Sequence, residues 1–452
     1  MTTLKPPRSL RPSRSRGTLA AAIVAGVVVA ASLPAILMNY GPFASGETKA
    51  GAAEQLSLPA AFGRASAAPG IQKLEEQVKA NPADFAAKIS LANAYLQAVR
   101  ESGDPTLYAR TDAVLADAQK LDPGNPELLA TQGILALGRH EFARALELGR
   151  QALAADPERA RYYGVVADAQ VELGMYDDAV ANLQEMVNRR PDFAAYSRIA
   201  YLRELYGDPE GAIEAMDFAI EAGATAAENV AWAQVQSGNL LFELGRYGDA
   251  AQRYALAEQR LPGYPLSLAG RARVAAAQGD LNAARDLYQQ AFDRMPLPAY
   301  ATALGEIAEK QGDMAAAERY FATVRAIDAL AVANGQNTDL EFALFLADHG
   351  SPAEAVQKAR AGYAARPSVH GADTLAWALY KNGEVGEARR YAKEALKLGS
   401  RDALLLFHAG MIEKAAGNAA EARALLQQVV NVNPRFSLVY ANEAKAALEA
   451  LG

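Results

Sequence analysis

Small apolar residues recur along this chain at fixed offsets, separated by larger and polar ones, with a spacing of about 34 residues. Counting back from Pro157, Ala152 stands five residues before it, Ala145 twelve and Gly133 twenty-four. The same ladder returns most clearly at Gly238, Ala250, Ala257 and Pro262, then at Ala272, Ala284, Ala291 and Pro296, then at Ala376, Ala388 and Ala395. Alanine and glycine at these places let two antiparallel helices approach closely, and a proline, lacking an N–H, ends the second helix. The pattern predicts helix-turn-helix repeats stacked into an all-α solenoid. Repeats begin near Asp84, Pro126, Ala160, Phe193, Ala231, Pro265, Pro298, Gln336, Val369 and Ala403. A turn motif of glycine, three or four variable residues and alanine fixes the register: GMYDDA from Gly174, GDPEGA from Gly207, GRYGDA from Gly245, GDLNAA from Gly279, GDMAAA from Gly312, GEVGEA from Gly383 and GNAAEA from Gly417.

With this ladder the chain resembles the tetratricopeptide repeat proteins, whose repeat carries small residues at its eighth, twentieth and twenty-seventh positions and proline at its thirty-second. The resemblance covers roughly residues 70–452 and implies a right-handed superhelix of about ten repeats. It speaks for the fold more than for the function, because the repeat is a scaffold reused for many partners. The departures predict local changes in stacking. An insertion from Glu101, ESGDPTLYAR, is expected to lengthen the first hairpin's turn; extra residues at Ala226 to Val230 and between Ala329 and Asn334 separate later repeats. Ser437 to Leu451 reads as a capping helix over the last apolar surface. DLEFALFLADHG from Asp339 and DTLAWALYKNGEVGEA from Asp373 are similar to stretches of bacterial members of the family.

The first 45 residues differ in kind from the rest. Residues 1–17 carry Lys5, Arg8, Arg11, Arg14 and Arg16; residues 18–38, Thr18 to Met38, are uncharged and mostly Ala, Val, Ile and Leu. Twenty-one such residues are long enough to span a bilayer. The positive flank orients the N-terminus to the cytoplasm and the repeats outside. The competing reading is a cleaved secretory signal, with Ala30, Ala31 and Ser32 as the small-residue region. Either way the sequence predicts an exported repeat domain, behind a Gly-, Ala-, Ser- and Pro-rich linker over 39–69. The absence of cysteine excludes disulfides, thiol catalysis and lipid attachment at a cysteine.

The formal charge is −7, and setting aside the five basic residues that precede any acidic one leaves −12. An acidic solenoid is a poor binder of nucleic acid, where affinity comes from Lys and Arg on phosphates. No P-loop, nucleophile elbow or His-Glu-x-x-His is present, so neither an enzyme nor a cofactor is expected. Of four histidines, His349, His370 and His408 fall late, near Glu341, Asp348 and Asp373, the one grouping with metal-ligand chemistry. Hairpin geometry sets His349 and His370 at opposite ends, roughly 20 Å apart at 1.5 Å rise per residue, which argues against a shared ion.

The resemblance itself supplies the better candidates. In the family, the second, fifth, sixth, ninth, twelfth and thirteenth positions of each first helix face the ligand. Here those positions give Asp168, Arg198, Tyr201, Trp232, Asn239, Arg273, Glu306, Glu341, His370, Asp373, Trp377, Tyr380 and His408. Such side chains can bond an extended peptide, pair with its charges and stack on flat groups. They are equally ordinary as solvated surface, as packing between repeats for the tryptophans, or as ion pairs of Arg198 and Arg273 with neighbouring carboxylates. Two functional classes follow: a protein-binding scaffold of a bacterial envelope, and a saccharide- or small-ligand-binding module in envelope polysaccharide synthesis or export. A metal-assisted enzyme on the late histidines is the third.

Overall fold

The computed structural model of the protein describes residues 69–223 and 226–452. The expected basic terminus, membrane or signal segment, and the linker up to residue 68 lie outside the described residues. Within them are 22 helices and no strand. Helix α1 (Pro69–Ala80) precedes ten antiparallel hairpins. Hairpins 1 to 5 are α2 (Phe85–Ser102) with α3 (Thr106–Gln119), α4 (Pro126–Gly138) with α5 (Phe142–Ala155), α6 (Ala160–Glu172) with α7 (Tyr176–Arg189), α8 (Phe193–Leu205) with α9 (Pro209–Ala222), and α10 (Ala227–Glu243) with α11 (Tyr247–Arg260). Hairpins 6 to 10 are α12 (Pro265–Gln278) with α13 (Leu281–Arg294), α14 (Pro298–Lys310) with α15 (Met314–Ala333), α16 (Asp339–His349) with α17 (Pro352–Ala365), α18 (Val369–Lys381) with α19 (Val385–Ala395), and α20 (Ala403–Ala415) with α21 (Ala419–Val432). A last helix, α22 (Ala441–Ala450), packs on α21 and α20 as a cap.

Local chemistry explains why the helices begin and end where they do. Asp84, Asn125, Asp192, Asp280, Ser368 and Asp402 each accept a backbone N–H of the first turn through the side chain, satisfying one orphan donor. Pro126, Pro265, Pro298 and Pro352 occupy the first helical position, where a missing N–H costs nothing. Seven of the ten predicted repeat starts coincide with helix starts; those at Asp84, Ala231 and Gln336 fall within one to four residues of theirs. The ladder alanines, such as Ala145, Ala152, Ala250, Ala272, Ala284 and Ala388, are fully buried at the helix contacts. At Gly238 even a methyl is too much: an added Cβ would stand 2.6 Å from the Tyr254 ring.

The insertions end up elsewhere than expected. The first hairpin's turn, 103–105, is as short as its neighbours, and the added residues instead extend α2 to 18 residues. No breaker occurs before Gly103, so the chain up to Ser102 continues the helix more cheaply than it would open a loop, and Gly103 and Pro105 then mark the turn. The additions near Ala226 and Ala329 are likewise taken up by a 17-residue α10 and a 20-residue α15.

The winding of the solenoid brings residues nearly 200 apart into contact. The turn of hairpin 1, at Gly103, lies on Met295 and Leu297 between hairpins 6 and 7. In hairpin 2 the Arg139 carbonyl accepts from the Asn337 N–H (2.9 Å), while His140 Nδ1 donates to the Asn337 carbonyl (2.7 Å). In hairpin 3 the Tyr176 hydroxyl accepts from the Val369 N–H (2.7 Å). In hairpin 4, Gly207 sits so close to the Gly399 carbonyl that an added Cβ would be 2.1 Å from its oxygen. In hairpin 5, Asn433 Nδ2 donates to the Phe242 carbonyl (2.8 Å) and the Tyr247 hydroxyl to Asn433 Oδ1. Each turn docks on the connection that follows the hairpin five places on. By contrast, nothing lies within 4 Å of a Cβ added at Gly279, Gly312, Gly383 or Gly417, the corresponding turns of hairpins 6, 7, 9 and 10.

Candidate partner-binding site

Because successive turns of the superhelix touch, the inner wall encloses a cavity of about 530 Å³. The first helices of hairpins 4 to 10 all contribute to it, together with Tyr288 of α13, Arg366 after α17, and the segment from Arg435 into α22. Of the residues picked from the sequence, Arg273, Glu306, Glu341, His370, Asp373 and His408 line this cavity. The others are placed differently. Asp168 and Arg198 hold each other in a buried two-point pair (2.8 and 2.7 Å) between α6 and α8. Asn239 is buried and accepts from the Tyr254 hydroxyl (2.8 Å). Tyr201 and Tyr380 are half-buried packing residues.

The tryptophans do not present a binding face. Trp232 is 2% exposed and meets Phe193 edge to face; Trp377 is 1% exposed, lies flat on His408 at 4.0 Å between centroids, and donates its Nε1 to Asp348 (2.9 Å). The large apolar area of an indole is best spent between repeats, where it is removed from water altogether. Buried in this way, neither tryptophan is open to stack on a sugar ring; the aromatic rings on the cavity wall are those of Phe242, Tyr288, Tyr300, Phe436 and Tyr440.

The cavity wall is rich in acceptors. Arg273 pairs with Glu243 (2.5 Å) and stacks over Phe242. Arg366 is buried between Glu172 (2.5 Å) and Glu341 (2.7 Å), tying α6 to α16 across the touching turns. Glu306 faces His349 (3.2 Å), and His408 Nδ1 bonds the Asp373 carboxylate (2.9 Å). Among the described residues Glu204 and Asp402 form no ion pair. Burial, reinforced by Asp402 and Glu243, pushes the Glu204 carboxyl up to about 8. Burial and Glu243 push Asp402 up to about 7, although its carboxylate caps α20 by accepting the Leu404 and Leu405 N–H groups. His370 moves the opposite way: burial and the Arg366 charge pull it down to about 4. The buried Nε2 atoms of His370 and His408 have no hydrogen-bond partner among the described residues.

Reasoning from the sequence missed Glu204 and Glu243, although both stand near the ends of first helices at the twelfth and thirteenth repeat positions and were within reach of the rule applied. Arg366, Asp402 and Arg435 lie outside first helices and become visible only once the turns are stacked. Among the described residues no group of three or more His, Asp or Glu is arranged to hold a metal ion, and no helix is long and apolar enough to cross a membrane.

The tetratricopeptide repeat family matches residues 136–200, 235–296, 269–332 and 374–436, which span α5 to α8, hairpins 5 to 7 and hairpins 9 to 10. The chain belongs to the tetratricopeptide repeat family. Solved structures similar to this repeat protein include PilW, a widely conserved type IV pilus biogenesis factor (18% identity, TM-score 0.38, covering 44% of this chain and 92% of PilW). Others are the Cut9–Hcn1 hetero-tetramer of APC/C (14%, TM-score 0.36, covering 84% and 92%) and MamA (18%, TM-score 0.29, covering 37% and 91%). No curated protein matches the sequence. Tetratricopeptide repeats serve generally as non-enzymatic interaction modules, so a protein-binding scaffold is the broad function that membership supports.

Proposed function

We propose that this chain is a non-enzymatic scaffold of a bacterial cell envelope that binds a protein partner on the inner wall of its superhelix. The observation that carries the reading is the convergence of seven successive first helices on one cavity whose charged side chains outnumber its fixed pairs. Charged side chains of one sign crowded on a concave wall favour a ligand that brings complementary charge and hydrogen bonds. The N-terminal sequence supports the location: Thr18 to Met38 serves as a membrane anchor with the basic residues on the cytoplasmic side, or as a signal removed on export. The linker to residue 69 then holds the repeats away from the bilayer on the extracytoplasmic side.

In-cell photocrosslinking tests this. A photoreactive residue replaces Asn442, which is exposed and lines the cavity. One dominant protein adduct, absent when the same residue is placed at exposed Gln151 on the outer helix α5, is the expected result. Equal labelling at both positions, or labelling at neither, overturns the scaffold reading.

A further inference from the structure

Of the docked turns, that of hairpin 4 is held differently. In hairpins 2, 3 and 5 hydrogen bonds cross between the windings beside the turn, whereas among the described residues none joins 206–208 to 396–402. Its contact is the close approach of Gly207 to the Gly399 carbonyl. The connection it rests on, 396–402, is the longest between any two hairpins and turns at Gly399 (φ 80°). Beside the contact lies a hollow of about 30 Å³, room for one or two waters. Acids of both windings line it: Glu204 of α8 and Glu243 of α10 from the earlier one, Asp402 from the later one, together with His370 of α18. The same four residues line the large cavity, so the hollow is a seam in the cavity's side wall.

The charges around this seam do not cancel. Glu243 pairs with Arg273 of α12 (2.5 Å), Arg366 is held by Glu172 and Glu341, and Asp373 of α18 is bonded to His408. Arg401 also lines the hollow, but it is exposed and forms no ion pair with the three acids among the described residues. Burial and the Arg366 charge keep the His370 imidazole neutral above about pH 4, and burial keeps the Tyr201 hydroxyl, near Glu204, protonated well above its ordinary range. Carboxylates confined in so small a space do not all ionise together, and Glu204 and Asp402 accordingly hold their protons up to about 8 and about 7.

We propose that this seam is a pH-controlled latch: the windings stay closed while Glu204 and Asp402 are protonated, and part between hairpins 4 and 9 when alkaline solution ionises both. Ionisation places new negative charges on opposite sides of a contact that has no hydrogen bond across it, and water entering the hollow relieves them. Both acids hold their protons more tightly in the closed form than in an open one. Their contribution to closure is therefore full below the ordinary carboxylate range and is lost as pH rises, so the latch loosens between about pH 5 and pH 8. Its opening gives the cavity a side entrance, and the device works in the same way whichever partner the scaffold binds.

Pulsed electron resonance on the full chain tests this, and because the sequence has no cysteine only introduced ones carry the spin label. One labelled pair, at exposed Glu210 and Lys397, spans the seam. A control pair, at exposed Asp178 and Ala365, spans the hairpin 3 contact, where Arg366 neutralises its acids. A single short separation at pH 6 across the seam, with the longer population growing about twofold or more by pH 9, is expected. The control pair should keep its distance. Glu204→Gln with Asp402→Asn, which preserves a capping oxygen for α20, should hold the seam pair short at pH 9. Glu204→Gln alone, folded by circular dichroism, is the second variant and should reduce the lengthened fraction by about half. An unchanged seam distance between pH 6 and pH 9, the same lengthening in the folded variants, or equal lengthening of the control pair overturns the proposal. None of these outcomes bears on the scaffold reading, which stands or falls with the photocrosslinking at Asn442.

Discussion

The turns of hairpins 3 to 5 and those of hairpins 6, 7, 9 and 10 share a motif and a backbone conformation but meet different surroundings. Gly174, Gly207 and Gly245 have φ of 70–71°, and Gly279, Gly312, Gly383 and Gly417 have φ of 79–90°. The first group lies against a connection five hairpins further on, and the second against nothing. A repeat motif therefore specifies a local shape and leaves open what that shape is used for. In a solenoid whose repeats touch only their neighbours, stability is a sum of local terms. Here five contacts of long sequence range add a term that such a sum does not contain.

The largest expected effect comes from the ion cluster that joins two windings. Arg366→Ala leaves Glu172 and Glu341 in a buried site without their cation and should cost about 3–5 kcal/mol in denaturant unfolding. Arg360, on the helix α17 that Arg366 follows, pairs with Glu384 and Glu387 while its side chain is 43% exposed. Arg360→Ala should cost about 0–1 kcal/mol. If the two variants prove equal, the windings are not held together by that cluster.

Next are two glycines with the same intrinsic strain. Gly383→Ala puts a side chain at φ 84° in open space and should cost about 1 kcal/mol. Gly207→Ala meets that strain and also the Gly399 carbonyl, which must move, so its cost should be about 2–3 kcal/mol. Small-angle scattering should show the Gly207 variant extended relative to the Gly383 variant. Equal profiles would mean that the docked turn can shift without opening the winding.

The smallest effect is a pH signature beside that docked turn. A carboxyl held near 8 in the fold and near 4.5 when unfolded keeps its proton in the native state while the unfolded chain loses it, so stability declines as pH rises across that window. Glu204→Gln should therefore match the parent at pH 4.5 and exceed it by about 1–3 kcal/mol at pH 8.5. His370, held near 4 in the fold, acts in the opposite sense: its contribution is present above about pH 6.5 and is lost as the solution is acidified towards pH 4. His370→Gln should accordingly gain relative to the parent only below pH 6. A parallel shift of either variant at all pH values would show that these groups do not titrate as the cavity geometry requires.

Much of the fold was legible because its signals are local. The ladder of Gly133, Ala145 and Ala152 reports close helix contact within one hairpin, and the turn glycines report a left-handed backbone; both are written within 34 residues. The docking of Gly207 on Gly399 was not legible, because glycine at 207 looks the same as glycine at 383. The 101–110 insertion was misread as loop because its Gly and Pro suggested a break, whereas they only mark the ordinary turn at 103–105. For the candidate site, the position rule found Arg273, Glu306, Glu341, His370, Asp373 and His408 on the cavity wall. It could not separate them from Asp168, Asn239 or Trp377, whose neighbours seal them. Side-chain type left the tryptophans open between the groove and packing between repeats, and their burial places them in the packing.

The touching windings also set an order of events for a chain that emerges from the ribosome N-terminus first. Hairpins form from local contacts and can complete themselves as they appear, but the surfaces on which Gly103, His140, Gly174, Gly207 and Gly245 rest do not exist until residues 295–433 have been made. Until then the inner wall is an open face and Glu204 is a solvated carboxylate of ordinary acidity. Closure thus advances stepwise as residues 295–433 emerge, and the cavity is its product, completed only when α20 and the segment from Arg435 supply the last part of the wall.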